Sequence, residues 1–147
     1  MIRIFIDADG CPVTDIAVGL ANRAGIPCTI VCDTSHQIQR EGVQTITVDK
    51  GADSADFLIA GLVGPGDVVI TQDYGLAAMC LTKGARALHQ DGFEYTSQNI
   101  DGLLYFRAEA KRARRGGARI KGPRKRTKEQ NDAFCAALQQ LLQEART

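Results

Sequence analysis

The chain opens on Ile2-Arg3-Ile4-Phe5-Ile6, a short β-branched run, and then changes period: Val13, Ile16, Ala17, Leu20, Ala21 and Ala24 recur at helical spacing until Gly25 stops them. A strand followed by a helix cannot be closed by a tight hairpin, so its next strand lies parallel to it, and repetition of the unit builds a parallel sheet. The unit is repeated. Pro12 stands where a first helical turn accepts a residue without an N–H. Cys28 to Cys32 and Thr45 to Val48 read as strands, and Ala55, Leu58, Ile59 and Leu62 mark a helix ending near Gly64-Pro65-Gly66. Val68 to Thr71 reads as a fourth strand, Leu76, Ala77, Cys80 and Leu81 as a short helix closed by Gly84, and Ala85 to Leu88 as a weaker fifth strand. The pattern predicts an α/β three-layer sandwich with a central, mainly parallel sheet of four to five strands and helices on both faces.

The remainder is helical. Ile100, Leu103 and Leu104 begin a helix that runs into a basic stretch, where Gly116-Gly117 and Gly122-Pro123 interrupt it. Thr127 with Gln130 has the spacing of a capping box, and Phe134, Ala137, Leu138, Leu141, Leu142 and Ala145 then share one face of a C-terminal helical extension. With 147 residues, 44% of them hydrophobic, and no internal repeat, one domain spanning residues 1–147 is expected. The net charge of +1 conceals two unlike parts. Residues 1–105, an acidic α/β core, carry six Lys/Arg against thirteen Asp/Glu, whereas residues 106–147, the basic connector and C-terminal helices, carry twelve against four.

Several classes are excluded on these grounds. No apolar run approaches the ~20 residues that cross a bilayer, and Met1 to Asp7 turns charged too soon for a secretory signal, so a cytoplasmic protein with no membrane association is expected. Five cysteines without a secretory signal read as reduced thiols. Cys28, Cys32 and His36 do not make a zinc site, because four residues of strand hold the two sulfurs about 13 Å apart. A 5% aromatic share without tryptophan argues against stacking platforms for bases.

In an open parallel sheet, ligands gather beyond the carboxyl ends of the strands. Here those positions are acidic. Asp7 and Asp9 follow the first strand and Asp73 the fourth, and in doubly wound sheets these two strands are commonly neighbours. Asp53 and Asp56, three apart at a helix start, share a face. Several carboxylates in one crevice repel one another unless a cation lies between them, and Mg2+ or Mn2+ prefers such oxygen ligands. Ions of this kind activate water and neutralise phosphate in displacement chemistry. As a turn former and helix cap, Asp at these positions also has a purely structural reading.

The segments Asp7-Ala8-Asp9-Gly10-Cys11-Pro12-Val13, Asp33-Thr34-Ser35-His36, Gly51-Ala52-Asp53-Ser54-Ala55-Asp56, Thr71-Gln72-Asp73-Tyr74-Gly75-Leu76-Ala77 and Tyr95-Thr96-Ser97-Gln98-Asn99-Ile100 closely resemble the YaiI/YqxD family of uncharacterised bacterial proteins. The resemblance spans nearly the whole chain and extends to Gly122-Pro123 and the terminal helix. That family looks like a branch of the PIN-like superfamily, whose members use an acidic cluster with Mg2+ or Mn2+ to hydrolyse phosphodiesters, mostly in RNA. The resemblance implies Asp7 and Asp73 as catalytic first-choice metal ligands, with Asp9, Asp53 and Asp56 as direct or water-mediated supports. Gly10 stands where the family often has alanine and Gly75 where it often has proline.

Ser35 and His36 follow the second strand and are candidates for positioning a water or a phosphate oxygen, against an ordinary Asx-type turn. Lys111, Arg112, Arg114, Arg115, Arg119, Lys121, Arg124, Lys125, Arg126 and Lys128 occupy a stretch with no acidic residue, suited to a phosphate backbone, with RNA the expected polymer. A solvated loop or a strap lying on the acidic half are the competing readings of that stretch. Three functions follow: a metal-dependent nuclease, a non-catalytic nucleic-acid-binding module, or a phosphatase of the haloacid dehalogenase type with Asp7 as nucleophile and Asp9 as acid/base. The last requires a second acidic motif after a strand, whereas Gly66-Asp67 precedes the fourth.

Overall fold

A computed structural model of the chain describes residues 2–34, 38–50, 54–115 and 125–146. In chain order the elements are β1 (Ile4–Asp7), α1 (Thr14–Ala24), β2 (Cys28–Asp33), β3 (Gln44–Val48), α2 (Ser54–Leu62), β4 (Val68–Ile70), α3 (Tyr74–Thr82), β5 (Arg86–Leu88), β6 (Glu94–Tyr95), α4 (Ile100–Arg115) and α5 (Lys128–Arg146). The strands form one sheet in the order β3-β2-β1-β4-β5-β6. All neighbours are parallel except β5 and β6, whose pairing of Ala87 with Tyr95 is antiparallel. Among the described residues the sheet therefore has six strands where four to five were expected. The sixth is two residues long and carries no periodicity that a sequence reading could detect.

Alternation along β1 divides the core. Ile4 and Ile6 face α1 and α5, together with Phe134, Leu138, Leu141 and Leu142, while Phe5 faces Ile59 of α2 and Leu76 and Cys80 of α3. Tyr95, Ala87 and Ala77 join Ile100 of α4 in a third cluster continuing the second face. Helices thus cover both faces, giving the three layers. The capping box forms: Thr127 N–H donates to Gln130 Oε1 at 2.8 Å, and Gln130 N–H to Thr127 Oγ1 at 3.2 Å. Each apolar side chain that α5 buries contributes about 1.5–3 kcal/mol, so this helix is part of the core and not an appendage.

Gly25 closes α1 in the left-handed conformation, with its N–H on the carbonyls of Ala21 and Asn22. Helix α1 starts one residue later than the periodicity implies, with Val13 as its N-cap and Pro12 ahead of it. At the amino-terminal edge, buried Asp67 receives the Arg3 guanidinium at 2.7 Å and the N–H groups of Arg3 and Gly64. The five cysteines are free thiols; Cys28 and Cys32 lie buried four residues apart within β2. Burial pushes the Cys28 and Cys80 thiols up to about 12, which keeps them protonated and inert. Among the described residues no helix is long and apolar enough to cross a membrane.

Candidate functional site

The strand order reverses its direction of growth at β1, with β2 and β3 built to one side and β4 to β6 to the other. A crevice opens at such a point beyond the carboxyl ends of the strands. Asp7 ends β1 and Thr71 follows β4, and parallel pairing of Ile6 with Ile70 places them side by side. Both lie on the α2 and α3 side of the sheet, since Phe5 and Val69 two residues earlier pack there.

Thr71 organises the site. Buried to 2% exposure, it donates its hydroxyl to Asp7 Oδ2 at 2.8 Å and accepts the Asp73 N–H on the same oxygen at 2.9 Å. Its own backbone is held by the Leu88 carbonyl on one side and by the Tyr95 hydroxyl on its carbonyl at 3.1 Å. One hydroxyl thereby ties the Asp7 carboxylate at the end of β1 to the backbone of Asp73 at the start of α3. Its small polar side chain at the end of an apolar run gave no signal in the sequence beyond a strand terminus.

Asp73 is the N-cap of α3: its Oδ1 accepts from Gly75 N–H at 2.8 Å and Leu76 N–H at 3.2 Å. The first of these bonds requires an N–H that a proline at position 75 would lack. Asp9 accepts the Asp33 N–H on both carboxylate oxygens, at 3.1 and 3.2 Å, and so ties the turn after β1 to the end of β2. Asp56 lies half-buried in the first turn of α2, near enough with Asp7 for both to repel the ionised form of Cys80. Burial, then the charges of Asp73 and Asp9, drive the Asp7 carboxyl up to about 6 against the pull of the Thr71 hydrogen bond.

Among the described residues no group of three or more His, Cys, Asp or Glu side chains is arranged to hold a metal ion. Mg2+ retains most of its waters and is commonly held by one or two carboxylates together with substrate phosphates. Asp7 and Asp73 fit that demand, because their mutual repulsion is what a cation between them would relieve.

The basic residues divide. Lys111 and Arg112 are exposed on α4, where Arg112 pairs with Glu109 at 2.8 Å. Lys125 and Lys128 are exposed at the start of α5. Arg126 is turned inward, onto Asp91 at 2.6 Å, the Gln90 carbonyl at 2.5 Å and Asn131 at 2.6 Å, so its guanidinium fastens α5 to the turn between β5 and β6. Asp53, Ser35, His36, Arg119, Lys121 and Arg124, and the side chains of Arg114 and Arg115, lie outside the described residues.

Residues 5–144 match the model of a family described as an uncharacterised BCR, the YaiI/YqxD family. The chain belongs to that family. It is 46% identical over 142 residues to a UPF0178 protein of Exiguobacterium sibiricum, an alignment covering 97% of each chain. A UPF0178 protein of Clostridium acetobutylicum is 46% identical over 95% of this chain and 96% of its own, and one from Bacillus cereus 43% identical over 95% and 98%. The family match takes in the whole carboxyl edge, from Asp7 to the docked face of α5.

Proposed function

We propose that the protein is a Mg2+- or Mn2+-dependent hydrolase of phosphodiester bonds in nucleic acid, with RNA the expected polymer. The observation that carries this reading is the state of Asp7: a half-buried carboxyl at the switch point of a parallel sheet, raised to about 6 by burial and by the charges of two further aspartates. Asp7 and Asp73 would hold the ion, with Asp9 and Asp56 as direct or water-mediated supports. When bound, the ion supplies a water of lowered pKa and charge for the phosphate oxygens.

The chain's own groups do the rest. Thr71 holds Asp7 in one orientation, and the start of α3 holds Asp73 in another, so neither carboxylate need reorganise as substrate arrives. Exposed Lys111, Lys125 and Lys128 offer phosphate contacts that position a strand without reading its sequence. Asp67, held by Arg3 at the opposite edge of the sheet, is remote from the place a haloacid dehalogenase-type phosphatase needs its second acid.

Calorimetric titration of Mn2+ into the wild type and into Asp7→Asn and Asp73→Asn tests the reading, with folding of each variant checked first. Saturable binding that both substitutions abolish is the expected result, followed by Mn2+-dependent cleavage of RNA. Salt-sensitive binding of RNA that persists unchanged in EDTA, without metal binding or cleavage, would instead favour the non-catalytic module.

A further inference from the structure

Three of the aromatic residues of this chain, Tyr74, Phe93 and Tyr95, gather with His89. One residue beyond the paired Ile70 and Leu88, Thr71 and His89 continue the row begun by Asp7 across β1, β4 and β5. Strand spacing places His89 about 10 Å from Asp7, a span that one nucleotide covers between its phosphate and its base. Around His89 the rings close up. Phe93 stacks on it with centroids 4.4 Å apart and planes 12° from parallel, and Tyr95 meets Phe93 edge-on at 5.2 Å. Tyr74, the residue after Asp73, meets Tyr95 edge-on at 5.8 Å. Buried Tyr95 anchors the group through its hydroxyl on the Thr71 carbonyl, the same threonine that holds Asp7.

Phe93 differs from its neighbours in keeping 38% of its surface exposed at this edge. The ring packs on His89 and Tyr95 and still reaches water, and its position is tightly set. His89 backs one face, and the preceding Gly92 runs so close to the backbone of Ala133 that a Cβ there would lie 2.8 Å from its carbonyl carbon. Arg126 pairs with Asp91 in the same turn, and Lys125 and Lys128, its near neighbours in the chain, are exposed. An exposed ring whose position is fixed by its packing is the kind of surface on which an unpaired base stacks.

We propose that Phe93, backed by His89, is a substrate-binding residue that stacks the base adjoining the phosphodiester placed at Asp7 and Asp73. The inference rests on the nuclease reading above. It runs against the expectation, drawn from the low aromatic share, that the chain offers no stacking platform.

The test is fluorescence anisotropy of a labelled oligouridylate and of the same oligomer with its bases removed, in Ca2+ at constant ionic strength. The proteins are the wild type, Phe93→Leu and Phe93→Tyr. The wild type should bind the base-bearing oligomer about tenfold more tightly than the abasic one, Phe93→Leu should lose that preference without losing affinity for the abasic oligomer, and Phe93→Tyr should restore it. Equal binding of the two oligomers by the wild type, or a preference that survives in Phe93→Leu, overturns the stacking. The nuclease reading is judged apart from this, by Mn2+ binding and cleavage in the same wild-type preparation. A wild type that binds neither oligomer overturns the stacking proposal, and absence of both metal binding and cleavage overturns the nuclease reading.

Discussion

Replacing Asp7 by Asn should make the protein more stable at neutral pH, an unusual outcome for a half-buried polar position. In the folded state the Asp7 carboxyl titrates at about 6, against 3.8 for the free group, with burial as the largest cause. Between those two values the folded chain holds a proton that the unfolded chain has released, so stability falls as pH rises through that window and is then level. The difference of about 2 units, at 1.36 kcal/mol each, makes the ionised Asp7 cost about 3 kcal/mol above pH 6. Asn keeps an oxygen for the Thr71 hydroxyl and never ionises. Urea unfolding at about pH 8 should therefore give Asp7→Asn a gain of about 1–3 kcal/mol over the wild type, shrinking toward zero at about pH 4. A variant that is less stable at about pH 8, or a gain of equal size at about pH 4, would refute the reasoning, because burial of charge would then not be the source. Excess Mn2+ should close the gap by stabilising the wild type alone, by about 2.7 kcal/mol at a hundred times its dissociation constant.

Two further substitutions probe the frame around that carboxylate. Thr71→Val removes the donor to Asp7 and the acceptor of the Asp73 N–H, at a cost of about 1–3 kcal/mol, and should drive the Asp7 titration above 6. Carboxyl NMR titration reads this directly, and an unchanged or lower midpoint counts against the role given to Thr71. Gly92→Ala places a Cβ 2.8 Å from the Ala133 carbonyl at a φ of +97°, whereas Gly25→Ala meets nothing within 4 Å at a φ of +67°. Denaturation midpoints should rank wild type, Gly25→Ala and Gly92→Ala in falling order, the last losing about 2 kcal/mol or more. Equal losses in the two variants would show that the turn yields to the added methyl.

Much of this architecture was legible in one dimension. The alternation of apolar runs and helical periods was enough for a parallel sheet with helices on both faces, because hydrophobic period follows directly from backbone geometry. The same holds for Gly25 as a stop and for Thr127 with Gln130 as a cap, since both act on residues within one turn of themselves. Asp7, Asp9 and Asp73 stood out because they end or closely follow strands, and the carboxyl ends of strands are where such sheets bind ligands.

Other features belong to the tertiary structure alone. Strand β6 is defined by its antiparallel pairing with β5, and two residues carry no period. Arg126 looked like every other cation in its stretch, yet the docking of α5 brings it to Asp91, thirty-five residues back along the chain, where it is an internal clasp. Thr71 takes its meaning from neighbours on β1, β5 and β6, and the two rings that meet His89 come from a turn and an edge strand. Composition counts residues without placing them, whereas the clustering of these rings depends on which strand ends the sheet order sets side by side. Local hydrogen bonding and hydrophobic period are written into the order of residues; the meeting of distant polar groups is decided only when packing fixes which strand lies beside which.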